Sequence, residues 1–314
     1  MIAIGIDVGG TSIKGAFVNE KGEILDRFSM KVDKNLPAKE MVGQLCELVN
    51  EGVKKNNFEV EGIGVGIPGT LGMDKGIVIS SPNLPTWSNF SFGQFMKEKT
   101  GLPVIINNDA NVAALGEAKF GSGSKYQNII MITLGTGVGG GIIIDGKLSD
   151  GNKHQGAELG HSMLVLNGRQ CGCGRRGCLE TYASATGLIL STKEAMEEHK
   201  ESLLWEVEKE LGGVDARNAF TAAKRGDLVA LNVVNQYVMY LSEGLIDYCN
   251  IFRPEAIVLS GGVANEGEYL FSKVREYLKE HTYGMRGSPK VEVLPSELGY
   301  DSGKIGAACL VLFK

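Results

Sequence analysis

The sequence predicts an α/β protein of two domains, on three observations. The chain has 314 residues, about twice the usual domain length. Short β-rich runs at Ile2–Asp7, Ile63–Ile67, Val104–Ile106, Ile129–Leu134, Ala256–Leu259 and Val291–Leu294 alternate with helical patterns, the rhythm of α/β folds. One device, an apolar run entering a glycine turn and leaving as a second apolar run, occurs once in each half of the chain.

The elements follow in order. Ile2–Asp7, the turn Val8-Gly9-Gly10-Thr11 and Ile13–Val18 read as a β-hairpin. Ala38–Lys54 places Met41, Leu45, Leu48 and Val49 at the spacing of an amphipathic helix. Val104–Ile106 turns through Asn107-Asn108-Asp109 into a helix, and a domain boundary is expected there, near residue 115. Ile129–Leu134, the turn Gly135–Gly141 and Ile142–Asp145 form the second hairpin. The charged stretch Lys193–Glu210 reads as one solvated helical face. Asp227–Cys249 is a long helix with Asp227 as its N-cap and Pro254 after its end. Ser302–Leu312 is a C-terminal helix. The expected domains are 1–115, joined by about 302–314, and 116–301.

Composition narrows the function. Apolar residues make up 43% and charged residues 22%, with a net charge of −5, as in an ordinary soluble globular chain. The mild acidity argues against a surface built to neutralise phosphate backbones or anionic lipid, so neither nucleic acid nor membrane is expected as a partner. No basic leader precedes Ile2, and a cytoplasmic location is expected. The longest apolar stretch, Ile129–Ile144, is broken by Thr133, Thr136 and five glycines, and is too short to span a bilayer comfortably. Glycine is the anomaly, at 44 residues, roughly twice its usual share of about 7%. It clusters after apolar runs, at Gly9-Gly10, Gly64–Gly69, Gly135–Gly141 and Gly261-Gly262, where backbone must approach something closely.

Asp7-Val8-Gly9-Gly10-Thr11-Ser12-Ile13-Lys14 puts an acid, bare amides, a hydroxyl and a cation within eight residues. Such amides can converge on phosphate oxygens while Asp7 holds the water shell of magnesium; a plain hairpin turn also needs glycine. Thr133, Gly135, Thr136 and Gly137 supply a second set of amides and hydroxyls. Gly135/Gly137/Gly140 and Gly64/Gly66/Gly69 each match the dinucleotide spacing, but no helix follows either one, and no P-loop is present. Asp109, at a helix start, suits both an N-cap and a general base kept ionised by the helix N-terminus.

His161, Cys171, Cys173 and Cys178, spaced His-x9-Cys-x-Cys-x4-Cys, would close a tetrahedral shell with no open position, so a structural zinc is expected. Cys46, Cys249 and Cys309 lie in apolar segments and read as buried thiols. Glu158 and Glu180 flank the cluster, where a pinned loop would hold their carboxylates for hydrogen bonding to a polyol.

These motifs, in this order, resemble the ROK family of sugar kinases and transcriptional repressors, with the bacterial glucokinases as the nearest branch. The likeness spans nearly the whole chain and rests on Asp7–Thr11, Asn108-Asp109-Ala110-Asn111, Leu134–Gly141, Glu158-Leu159-Gly160-His161 and Cys171–Glu180. It implies an actin-like, hexokinase-type ATPase fold with a cleft between two domains, Mg-ATP as phosphoryl donor, and phosphorylation of glucose at its 6-hydroxyl. N-acetylmannosamine, N-acetylglucosamine or fructose are the alternative substrates within the family. A catalytically silent sugar-sensing protein is the alternative of another class. By the same carry-over, Asn83, Asn108, Asp109, Glu158, His161 and Glu180 bind the sugar with Asp109 as base. Asp7, Gly9, Gly10, Thr11, Lys14, Thr133, Gly135, Thr136 and Gly137 face the phosphates, and Gly261 and Gly262 the adenosine. A homodimer or higher homo-oligomer is expected. The repressor branch carries a helix-turn-helix ahead of the first hairpin, whereas the strand here begins at Ile2. Family glucokinases often have glycine before the first glutamate of the Glu-x-Gly-His motif; this chain has Ala157.

Overall fold

A computed structural model describes every residue except 73–75, 82, 285–289 and 314. The chain divides into two compact units: residues 1–131, 141–157 and 297–314 form the first, and 132–140 and 158–296 the second. The boundary expected near residue 115 falls inside a helix, Asp109–Phe120, which lies wholly in the first unit. A continuous ladder of i to i−4 hydrogen bonds makes a helix a poor place to divide a chain. The crossings fall instead within strands, after residue 131 and after residue 140, and in the connections after Ala157 and after Ser296.

In the first unit, β1 (Ile2–Val8), β2 (Ser12–Asn19), β3 (Ile24–Lys31), β4 (Ile63–Ile67) and β7 (Val104–Asn108) form a sheet in the order β3-β2-β1-β4-β7. β1, β2 and β3 are antiparallel neighbours, while β1, β4 and β7 run parallel. A short pair, β5 (Thr70–Gly72) and β6 (Ile77–Ser80), stands apart. Burial follows position in the sheet: edge strand β3 alternates half-buried and exposed residues, whereas β4 is buried throughout.

The period of two along β1 separates two faces. Ile4, Ile6 and Val8 join Phe17 in the larger core with α1 (Ala38–Asn56), through Met41, Leu45 and Val49, and with α2 (Phe92–Thr100), through Phe92 and Met96. Ala3 belongs to a smaller core with Ala16, Val18 and the C-terminal helix α10 (Ser302–Leu312). On that second face the residues are small because α10 lies at backbone distance. A Cβ on Gly64 would come within 1.7 Å of the Ala307 carbonyl oxygen, and one on Gly306 within 1.6 Å of the Val112 carbonyl oxygen on α3 (Asp109–Phe120). Part of the glycine excess therefore serves helix packing rather than ligand contact.

The second sheet runs β10-β9-β8-β11-β12, built from β8 (Ile129–Leu134), β9 (Val138–Ile144), β10 (Lys147–Leu148), β11 (Ala256–Ser260) and β12 (Glu292–Pro295). The second unit contains α4 (Glu180–Ala183), α5 (Ala185–Glu198), α6 (Leu204–Leu211), α7 (Arg217–Lys224), α8 (Leu228–Phe252) and α9 (Glu268–His281). Asp227 caps α8 as expected, accepting from the Ala230 amide at 2.7 Å. The stretch Lys193–Glu210 is not one solvated face: it breaks between α5 and α6, and α6 buries Leu204 and Val207. Among the described residues no helix is long and apolar enough to cross a membrane.

The approach to α10 is pinned by charge. Arg27 on β3 donates to both carboxylate oxygens of Asp301 at 2.7 and 2.8 Å, and Lys304 reaches Asp301 at 2.6 Å. The Arg27 bonds, followed by those from Lys304, hold the Asp301 carboxyl far below its ordinary value of 3.8. A carboxyl depressed in the folded state contributes stability above its unfolded pKa, and that contribution fades as pH falls toward the folded value. Asp301→Asn should therefore cost about 1 kcal/mol or less at neutral pH. It should also flatten the loss of stability below the ordinary carboxyl value of 3.8, as measured by denaturant midpoints across an acid series.

Candidate active site

The first glycine turn joins β1 to β2, with Asp7 opposite Lys14 and Val8 opposite Ile13. The Gly9 amide donates to the Ser12 carbonyl at 2.9 Å and closes the turn. Asn83 lies beside it, since a Cβ on Gly10 would sit 3.6 Å from the Asn83 Cβ. Asp7 shares the face of β1 that carries Ala3 and Gly5, so its side chain meets the first turn of α10. A Cβ on Gly303 would come within 2.9 Å of the Asp7 carboxyl carbon. Burial raises the pKa of Asp7, opposed by the positive charges of Lys304 and Lys14. Asp7 is thus a part-buried carboxyl group at the end of a strand, beside a turn of bare backbone and within reach of two positive charges.

β7 runs directly into α3, and the cap of that helix is Asn108, with Asp109 as the first helical residue. Asn108 Oδ1 accepts from the amides of Ala110 at 2.9 Å and Asn111 at 3.3 Å. Asp109 is thus the first helical residue rather than the cap, which its place in the sequence alone left open; its Oδ1 accepts from the Ala110 amide at 3.0 Å, and it stands in the positive field of the helix N-terminus. Behind this corner lies a polar network that sequence reasoning missed. Buried Asn107 donates to Asp150 at 3.2 Å and accepts from Asn111 at 3.2 Å, and Asp150 pairs with His154 Nδ1 at 2.9 Å. Its sequence signal was confined to the asparagines at 107, 108 and 111, because Asp150 and His154 come from a distant loop.

In the second unit, the turn between β8 and β9 is held by Gly135 N–H to the Gly137 carbonyl at 3.0 Å and by Gly139 N–H to Thr133 Oγ1 at 3.1 Å. Thr136 is exposed at its tip, and its carbonyl accepts from Thr186 at 2.7 Å. Gly261, with φ +93°, follows β11 so closely that a Cβ would meet the Leu134 carbonyl oxygen at 2.5 Å, while Gly262 faces open space. Glu180 opens α4, and its Oε2 accepts from the Val138 amide at 3.0 Å. This carboxylate therefore braces the second glycine turn as well as flanking the cysteine cluster.

His161, Cys171, Cys173 and Cys178 come together, with one ligand atom from each lying within 4.8 Å of the others. His161 Nδ1 lies 3.6 Å from Cys171 Sγ, and Cys173 Sγ lies 3.6 Å from Cys178 Sγ. Those separations match the edge of a tetrahedron with metal–sulfur bonds of about 2.3 Å. The loop is shaped for it: the Cys171 amide donates to the Arg175 carbonyl at 2.9 Å, and Gly174 and Gly177 take positive φ. The donor set thus fits zinc. Cys46, Cys249 and Cys309 are buried away from it, and burial pushes the Cys309 thiol up to about 12.

The ROK family matches residues 3–314. This chain belongs to the ROK family. Within the family it is 37% identical over 312 residues to a glucokinase of Halalkalibacterium halodurans, covering 98% of this chain and 94% of that one. A Thermotoga maritima glucokinase is 35% identical over 315 residues, covering 98% and 96%. Among solved structures, a ROK family glucokinase of Streptomyces griseus, in complex with glucose and AMPPNP, aligns with a TM-score of 0.83 at 34% identity over 99% of both chains. The fold of this ROK protein is accordingly the actin-like, hexokinase-type one.

Ala157, noted above as a departure from glycine, has φ +62°. An L-residue pays roughly 1–2 kcal/mol in that left-handed region. Glycine would remove this cost while adding about 0.4–1 kcal/mol of unfolded-chain entropy. Ala157→Gly should therefore stabilise the protein by up to about 1 kcal/mol, read as a rise in the denaturant midpoint at unchanged slope.

Proposed function

We propose that this ROK protein is an ATP-dependent glucokinase, transferring the γ-phosphate of ATP to the 6-hydroxyl of glucose. The observation that carries this reading is its 35–37% identity to two glucokinases along nearly its whole length. The site chemistry is consistent with it. Asp109, at the first position of α3, orients the sugar hydroxyl and takes its proton. The helix N-terminus keeps that carboxylate ionised, and phosphoryl transfer asks more for positioning than for basicity. Asn108 offers its amide nitrogen, since its oxygen is committed to the helix cap. Asn83, Glu158, His161 and Glu180 are the remaining groups for the sugar hydroxyls.

The phosphates are served by Gly9, Gly10, Thr11 and Lys14 and by Thr133, Gly135, Thr136 and Gly137, the adenosine by Gly261 and Gly262. Magnesium, when bound, neutralises phosphate charge, and Asp7 would hold its water shell. Amides fixed in tight turns stabilise developing charge without reorganising. His161 and the three cysteines would hold a structural zinc through Nδ1 and sulfur. That leaves the second ring nitrogen of His161 for the sugar.

Coupled ADP release across a sugar panel should give the highest kcat/KM with glucose. A higher value for an N-acetylhexosamine or fructose would move the specificity and leave the kinase standing, while sugar binding without ADP release would point to a sensor. Asp109→Asn should lower kcat by about 10²–10⁴-fold and leave glucose binding in place, with calorimetric titration of glucose as the check. The purified protein should carry one zinc per chain by elemental analysis. Chelation should lower its melting temperature, because a structural zinc supplies folding free energy.

A further inference from the structure

We propose that Tyr248 and Tyr237, two buried tyrosines of α8, are positioning residues that set the geometry of the sugar-side groups through their hydroxyls. The inference rests on the sugar-kinase reading above. Tyr248 is 2% exposed, and its hydroxyl donates to the Leu159 carbonyl at 2.5 Å and lies 2.8 Å from Ser162 Oγ. Leu159 opens a single tight turn with Glu158 before it and His161 at its end; the His161 amide donates to the Glu158 carbonyl at 3.0 Å. The Ser162 carbonyl in turn accepts from the Leu179 amide at 2.9 Å, the residue just before Glu180. The Leu159 carbonyl also accepts from Ser162 Oγ at 2.8 Å and from the Ser162 amide at 3.1 Å, so the phenol joins Ser162 in fixing the carbonyl around which Glu158 and His161 are arranged, and through Ser162 it reaches the backbone that delivers Glu180.

Tyr237 repeats the device. It is also 2% exposed, and its hydroxyl donates to the Ala183 carbonyl at 2.9 Å. Ala183 ends α4, the short helix opened by Glu180. Residues 237 and 248 are eleven apart, three helical turns, so both rings leave the same face of α8. Gly244 lies between them on that face and leaves room for Leu179, whose Cδ2 would stand 2.7 Å from a Cβ there. The segments carrying Glu158, His161 and Glu180 are a single turn and a four-residue helix, and a helix of 25 residues is a far stiffer reference. Burial pushes the Tyr248 hydroxyl up to about 12 and raises that of Tyr237 further, so both stay protonated donors in the working range.

The test uses Tyr248→Phe, Tyr237→Phe and the double variant, which keep the packed rings and delete only the hydroxyls. Each single variant should raise the KM for glucose about 3- to 10-fold, with a smaller rise in the KM for ATP and kcat less affected. Tyr277→Phe, which removes a hydroxyl bonded to Glu243 on the exposed surface, should leave both KM values unchanged. Amide exchange in the ligand-free protein provides a readout independent of turnover. Tyr248→Phe should speed exchange at His161 and Ser162, and Tyr237→Phe at Ser184, whose amide donates to the Glu180 carbonyl. Wild-type glucose KM and wild-type exchange in both variants, with only the melting temperature lowered, would overturn the inference and leave the kinase reading intact. Absence of glucose turnover in the wild type would overturn the kinase reading, and the exchange rates would then judge the bracing alone.

Discussion

Backbone contact between helix α10 and its surroundings is the constraint on which the first unit depends. Gly5 and Gly64 let the helix lie against β1 and β4, and Gly306 and Gly116 let it lie against α3. Asp7 is carried by β1 and Asp109 by α3, so one helix sets the spacing of both acids. At such distances no side chain can rotate to absorb a shift, and interiors packed this tightly transmit displacement rather than damp it. The ion pairs at Asp301 fix where the helix begins, which in turn decides how Gly303 meets the Asp7 carboxyl.

The second unit solves a different problem. Its site-bearing segments are a tight turn, a cysteine loop and a four-residue helix, none of which is stable alone. They are held from several sides: by the convergence of His161 with Cys171, Cys173 and Cys178, by Glu180 on the Val138 amide, and by phenols of α8 beneath them. Arg169 adds a clasp, lying over the Tyr182 ring at 5.0 Å and donating to the carbonyls of Thr181 and Gly187. Small polar segments thus acquire the rigidity that a precise array of hydrogen-bonding groups needs.

Much of this was legible in the sequence because it depends on local pattern. Both glycine hairpins, the strand running into a helix at Asn108, the Asp227 cap and the zinc-type spacing all follow from neighbours along the chain. What was not legible depends on distant partners. The choice of Asn108 rather than Asp109 as cap is a matter of one residue of backbone geometry, and helix ends are ambiguous at that scale. Gly64 and Gly66 match the dinucleotide spacing without the helix it requires, and they are small because Ala307 and Val112 press on them. The division between units escaped because it cuts through the interiors of β8 and β9, each of which the local pattern reads as a single strand.

The capping role of Asn108 also constrains what can be recognised beside it. With the carbonyl oxygen of its side chain spent on the start of α3, Asn108 can present only hydrogens outward, while a carboxylate at Asp109, when ionised, can only accept them. A partner that satisfies both neighbours must give and take a proton in hydrogen bonding from a single small group. An alcohol does so, whereas a carboxylate or an ammonium ion would leave one of the two residues unmatched.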